Sequence, residues 1–297
     1  MPYVIGRRDL SSKRLADLHS GLVKAIPRIP NNRASLQLLK AKGLGEVLIY
    51  FLSWRSRYVA PRPRKVSIDS AIWADTRSIA NKDAIAAFLT RVAAGEDLTP
   101  WLSLQPHNRG FAVSATLPGP NADKWADKDF LLNVMGMHHF HLGRSIEPQG
   151  HAVRTNEVIF AEVTRETFEV VALADHGVFE DGDDGQLTAE REELWTLHEA
   201  RRARNMVPGA VYIGGGLGGL GIATSGHPTA IVLSAQRYAQ IIRDTDPKLD
   251  DPVFVEALYP TGSPPRTPKL SWRFNHLDLT LVDEANECFF TMRRGPN

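Results

Sequence analysis

The segment Gly136-Met137-His138-His139-Phe140-His141-Leu142-Gly143 holds three of the chain's ten histidines within four positions. In extended backbone, side chains alternate between faces, so His139 and His141 share one face with Met137 while His138, Phe140 and Leu142 take the other. Two imidazoles at i and i+2 can converge on a metal ion, a phosphate, or a proton in transit. Each histidine alone reads as a structural or surface residue; it is the cluster that points to chemistry.

Two kinds of chemistry suit it. Metal-independent RNA cleavage needs a base for the 2′-hydroxyl proton, an acid for the leaving 5′-oxygen, and a cation for the charged phosphorane. Imidazole serves the first two near neutral pH, and guanidinium binds phosphate oxygens bidentately. On residue type the assignment is His139 or His141 as base, His176 as acid, Arg154 as phosphate clamp and Glu157 orienting one imidazole. His176, within Asp175-His176-Gly177, also reads as a plain turn residue. A metal-dependent hydrolase or oxygenase built on the His139/His141 pair is the alternative, with Glu147, His151, Glu157, Glu162, Asp175 and His176 as further donors within reach in sequence. The cupin pattern, histidine-x-histidine followed by glutamate, glycine and another histidine, fails in detail: Glu147 lies six residues after His141, Gly150 follows too soon, and no second motif appears. The preferred reading therefore needs no metal and no cofactor.

Other motifs carry less. The glycine run 214–221, GGGLGGLG, follows an apolar segment, but a dinucleotide fingerprint opens directly into a helix and here IATSGH intervenes. Ser225 and Pro228 read as the start of a helix. Cys288, the single cysteine, excludes an internal disulfide and reads as a buried inert thiol in NECFFTM. With no apolar leader and no long apolar run, a reducing cytoplasm is the expected location, without membrane contact.

A net charge of +1 leaves any nucleic-acid affinity to a local patch. Arg55, Arg57, Arg62, Arg64 and Lys65, interleaved with Trp54 and Tyr58, form the one candidate, in which cations track phosphates and aromatics stack on bases. A solvated helix end running into a proline-stiffened linker explains the same run, and a non-catalytic nucleic-acid-binding protein is a third functional reading.

These residues have to be positioned by the surrounding elements. Residues 11–57 carry apolar residues at helical spacing, broken by Pro27 and Pro30, and a further helix is predicted over 82–94 with Gly95 as its stop. The period then changes. After the short apolar segment FLLNVMG comes the histidine strand, then EVIFAEV (157–163) and TFEVVALADHGVF (167–179), joined by Thr164, Arg165 and Glu166 as a hairpin. A charged helix is predicted over 188–204, a helical pattern around Ile231, Tyr238 and Ile242, and two closing strands from 269. The fold class is α+β: a helical N-terminal region (1–115), an antiparallel β module (116–187) and a C-terminal α+β portion (188–297).

Residues 136–180 resemble the C-terminal half of the RelE/ParE superfamily of ribonuclease toxins. There, a strand alternating basic and apolar residues ends in glycine, a loop leads to an apolar hairpin, and a histidine, lysine or arginine stands near an aromatic residue at the end. HHFHLG followed by EVIFAEVTRETFEVVALADHGVF follows this plan, with His176 where YoeB-like members carry a catalytic histidine and Phe179 near the place of their terminal tyrosine, without its hydroxyl. The sequence departs from the pattern at Glu157, where the family usually has arginine, with Arg154 three residues earlier, and in the insert RSIEPQGHAV. The resemblance implies a ribonuclease of toxin or phage-defence type, with RNA as substrate and a neutralising protein as partner, although the chain is about three times as long as typical members.

Overall fold

The computed structural model describes residues 11–113, 129–180, 186–204, 221–259 and 267–295, and it is α+β. In chain order its elements are α1 (Lys13–Ala25), β1 (Arg28–Ile29), α2 (Arg33–Lys40), α3 (Leu44–Arg55), β2 (Lys65–Ile68), α4 (Thr76–Ala80), α5 (Lys82–Ala94), α6 (Gln105–Asn108), β3 (Phe111–Ala112), α7 (Phe130–Met135), β4 (Met137–His141), β5 (Val158–Val163), β6 (Thr167–Ala174), α8 (Ala189–Ala203), α9 (Thr229–Thr245), α10 (Pro252–Leu258), β7 (Leu270–Asn275), β8 (Asp278–Asp283) and β9 (Cys288–Arg293). Two compact units share the chain, one formed by 1–56, 107–129 and 222–296, the other by 57–106 and 130–221. The three consecutive segments expected from the sequence are thereby corrected. The first unit is closed by a return of the chain, and the sheet unit begins before α5 and keeps α8.

In the first unit, Ser12 caps α1 by accepting from Leu15 N, and Leu15, Leu18, Leu22 and Val23 give the helix its buried stripe. α3 buries Val47, Leu48, Phe51 and Leu52 and packs against α9, which contributes Ile231, Ala235, Tyr238 and Ile242. The closing strands number three, not two: β7, β8 and β9 form an antiparallel meander whose Trp272, Leu279 and Leu281 are buried. Asp246 ties this unit together, accepting from Trp272 Nε1 and from Arg14 Nε, both at 2.9 Å.

The second unit is built on a four-stranded sheet in the order β2-β6-β5-β4. β4, β5 and β6 run antiparallel, as the sequence predicts, with Thr164–Glu166 as the hairpin turn. The first strand was hidden in a region read as helical. β2 pairs in parallel with β6, from Lys65 opposite Thr167 to Ile68 opposite Val170. Only four residues long and half exposed, it has too little apolar alternation to announce itself. Phe88 of α5 packs against Phe140 and Phe168 on one face, with ring centroids 5.2 and 6.0 Å away. The other face buries Met137, Val158, Phe160, Val171 and Ala174 under Leu131 and Met135 of α7 and Leu194 of α8.

Charged groups fix α8 to the sheet. Asp69, at the end of β2, is buried and accepts from Arg201, from Arg204 at 2.9 Å and from the backbone N–H of Ala71 at 3.0 Å, while Arg201 also reaches Glu169 at 2.8 Å. Removing one partner of a buried ion pair strands the other. Because Arg201 keeps Glu169, Asp69→Ala is expected to cost about 2 kcal/mol in chemical denaturation, below the loss seen when a buried charge loses its sole partner. A variant as stable as the parent would show that Asp69 holds nothing in place.

Candidate active site

The strand register brings the site together. His141 pairs with Val158, and Val158 pairs with Ala174, so β6 ends level with His141 and delivers His176 beside it. Asp175 caps the 3-10 turn His176–Phe179 by accepting from Gly177 N at 2.8 Å. The His141 and His176 rings lie 5.4 Å apart and within 27° of parallel. His139, two residues before His141 on the same face, packs against Phe160 at 5.9 Å and Phe179 at 4.8 Å. Residues 35 positions apart in sequence thus share one end of the sheet.

Arg154 reaches the cluster because of Gly143. The Gly143 carbonyl accepts from the indole N–H of Trp101 at 2.9 Å, and the backbone of Val153 runs directly against the Gly143 Cα. A Cβ at 143 would collide with the Val153 carbonyl oxygen. Beyond this contact Leu142 N donates to the Thr155 hydroxyl at 3.0 Å, and that hydroxyl donates to the Glu157 carbonyl at 2.6 Å. The loop therefore returns to the strand it left, and the Arg154 guanidinium donates to His141 Nε2. Gly143→Ala must push these backbones apart. It is expected to destabilise the fold by about 2 kcal/mol, within the range for overpacking, and the loss is read as a lower denaturation midpoint; an unchanged midpoint would contradict the close approach.

Hydrogen bonding fixes two tautomers. A guanidinium only donates, so His141 Nε2 is the acceptor and the neutral ring carries its proton on Nδ1. That nitrogen is buried and has no hydrogen-bond partner among the described residues. Burial, reinforced by the charges of Arg154, His176 and His139, pushes the His141 pKa down to about 4. A carbonyl only accepts, so His176 donates from Nδ1 to Asn156 O at 2.7 Å and has Nε2 left for proton exchange. His176 is only half-buried, and Arg154 is exposed. His141 is thus a neutral ring holding a guanidinium, whereas His176 is placed to move a proton at the surface.

Not every residue singled out by the sequence joins them. Val158 pairs with His141 and so lies on the histidine face, which turns Glu157 to the other, and among the described residues no hydrogen bond links the Glu157 carboxylate to an imidazole; the orienting role expected for it is corrected. Backbone groups do the orienting instead, above all the Asn156 carbonyl. Asn156 and Trp101 were missed in the sequence because one acts through its main chain and the other lies 42 residues from its partner. His138 faces the opposite side, buried and stacked along Phe140 at 6.3 Å. Among the described residues no group of three or more histidine, cysteine, aspartate or glutamate side chains could hold a metal ion.

The basic run is not one exposed patch. Arg57 and Arg64 are buried, and the expectation that they contact nucleic acid is corrected. Arg64 donates to Thr164 O at 2.8 Å and Ala60 O at 2.9 Å, joining the segment before β2 to the hairpin turn, and burial lowers its pKa to about 10. Arg55, in the other unit, donates to His276 Nδ1 at 3.0 Å. Arg62 is half-buried, and Lys65 alone of the five is exposed.

The remaining motifs settle as follows. Helix α9 starts at Thr229 with Pro228 as its cap residue and no side-chain cap, and Ser225 sits 3.2 Å from His227 Nδ1 instead. Cys288 is half-exposed at the start of edge strand β9, not buried. The glycine run lies outside the described residues except for Gly221. No helix among the described residues is long and apolar enough to cross a membrane. Comparison with protein-family models, curated proteins and solved structures finds no match for this chain.

Proposed function

We propose that the chain is a ribonuclease that cuts RNA by metal-independent acid/base chemistry at the cluster of His139, His141, His176 and Arg154. The single observation that carries this reading is the meeting of His141, from a strand, with His176, from beyond the hairpin, and Arg154, from the intervening loop. The strand, loop and hairpin occur in the chain order that the RelE/ParE resemblance implies.

The 2′-hydroxyl attacks phosphorus, the 5′-oxygen leaves, and the products are a 2′,3′-cyclic phosphate and a 5′-hydroxyl. The base takes the 2′-hydroxyl proton, and His176, acting as the imidazolium with Nδ1–H held on the Asn156 carbonyl, gives its Nε2 proton to the leaving oxygen and is left neutral. Of the two candidate bases His139 is preferred, because a pKa near 4 makes His141 a weak base. Arg154 binds the phosphate with the N–H groups not directed at His141, stabilising charge as it develops. The toxin reading further assigns a neutralising protein partner and a cytoplasmic place of work.

The test is incubation of the purified full chain with unstructured RNA in excess chelator. Cleavage by the parent protein, with Arg154→Ala slower by about 100-fold as for loss of one transition-state donor, supports the reading. Cleavage only when a divalent ion is restored would overturn it, as would none under either condition.

A further inference from the structure

We infer that Phe179 is the platform on which an unpaired nucleobase stacks, which makes single-stranded RNA the substrate; this rests on reading the histidine cluster as an RNA-cleaving site. In a 3-10 turn residues i and i+3 eclipse, so the turn His176–Phe179 sets its last side chain over its first. The two rings are 5.9 Å apart. Phe179 is also 4.8 Å from His139 and 6.1 Å from Phe160, contacts that hold its orientation from the sheet side. The residue is nonetheless 38% exposed.

The ring that adjoins both proposed proton-transfer residues is therefore held by its neighbours and still partly accessible. A base flanking the scissile phosphate can lie on it while the ribose 2′-hydroxyl and the 5′-oxygen face His139 and His176. Stacking needs a base free of its duplex neighbours, whereas a paired helix offers a protein only its grooves and backbone. A phenyl face has no hydrogen-bonding edge, so it accepts any of the four bases. The more exposed Phe289, 70% open on β9 of the other unit, serves as a control.

Binding of a fluorescent single-stranded 2′-O-methyl RNA, which lacks the attacking hydroxyl, tests this on the intact protein. Phe179→Ala is expected to weaken binding by about ten-fold, the loss of one base-stacking contact, and Phe179→Trp to stay within about two-fold of the parent. Phe289→Ala should bind as the parent does, and the same RNA in a duplex should bind more weakly than the single strand. Equal binding by Phe179→Ala and the parent would overturn the inference, as would a preference for the duplex or no binding of the single strand. Failure of the ribonuclease reading registers separately, as intact unmodified RNA in the cleavage assay while binding still depends on Phe179.

Discussion

Replacement of His176 by alanine is expected to slow RNA cleavage by about 100- to 10,000-fold, the range that a positioned acid or base supplies. The fold should survive. His176 is half-buried on a surface turn, and its one described hydrogen bond, to the Asn156 carbonyl, has a net worth of about 1 kcal/mol. The same turn keeps its cap, because Asp175 holds Gly177 N independently of the imidazole. A variant with a parent-like circular dichroism spectrum and denaturation midpoint but almost no cleavage is the expected outcome. Undiminished cleavage would remove His176 from the chemistry and leave the stacked rings as packing.

The second large effect concerns acid stability. His141 titrates at its ordinary 6.5 in the unfolded chain but near 4 in the folded one. Between these values the unfolded state binds the extra proton, so stability falls as pH falls from about 6.5 to about 4 and then levels off. The shift corresponds to at most about 3 kcal/mol. The cause is burial first and like charge second: protonating His141 puts a cation out of water, against Arg154 and beside His176 and His139. His141→Phe removes the group that titrates. Unfolding free energies measured for both proteins at pH 7 and pH 4.5 should therefore fall more steeply for the parent. Parallel profiles would mean that His141 is not held neutral, and with that the choice of His139 as base would lose its support.

Much of this arrangement could be read from the chain. The alternation of MHHFH gave the shared face of His139 and His141, and the hairpin EVIFAEV–TRE–TFEVVALA stands as expected, because strand period and turn composition are local signals. Helix α5 ends at Gly95 with φ 77°, the left-handed geometry that glycine favours at a helix end. What was illegible depends on distant partners. β2 is defined by its pairing with β6, a hundred residues away, and not by its own pattern. The burial of Arg57 and Arg64 cannot be told from an exposed basic run, since the residue types are identical and only the hairpin carbonyl at Thr164 distinguishes the two. Likewise Glu157 has the right type for orienting an imidazole, but strand parity turns it away, and a main-chain carbonyl takes that part.

Within the site, the same parity argument placed the rings correctly but not their protonation. Which nitrogen of His141 faces Arg154, and which of His176 faces Asn156, decides that one ring holds a guanidinium while the other keeps Nε2 for the proton transfer proposed for it. Only the loop closure at Gly143, where no side chain fits, creates the first of these contacts.

The most direct measurement is the chemistry of the cut ends. Mass spectrometry of products formed from a defined single-stranded RNA in chelator should find a 2′,3′-cyclic phosphate on one fragment and a 5′-hydroxyl on the other, with no cut where a 2′-deoxynucleotide stands at the scissile position. Fragments ending in 3′-hydroxyl and 5′-phosphate, or cleavage indifferent to the missing 2′-hydroxyl, would contradict the account.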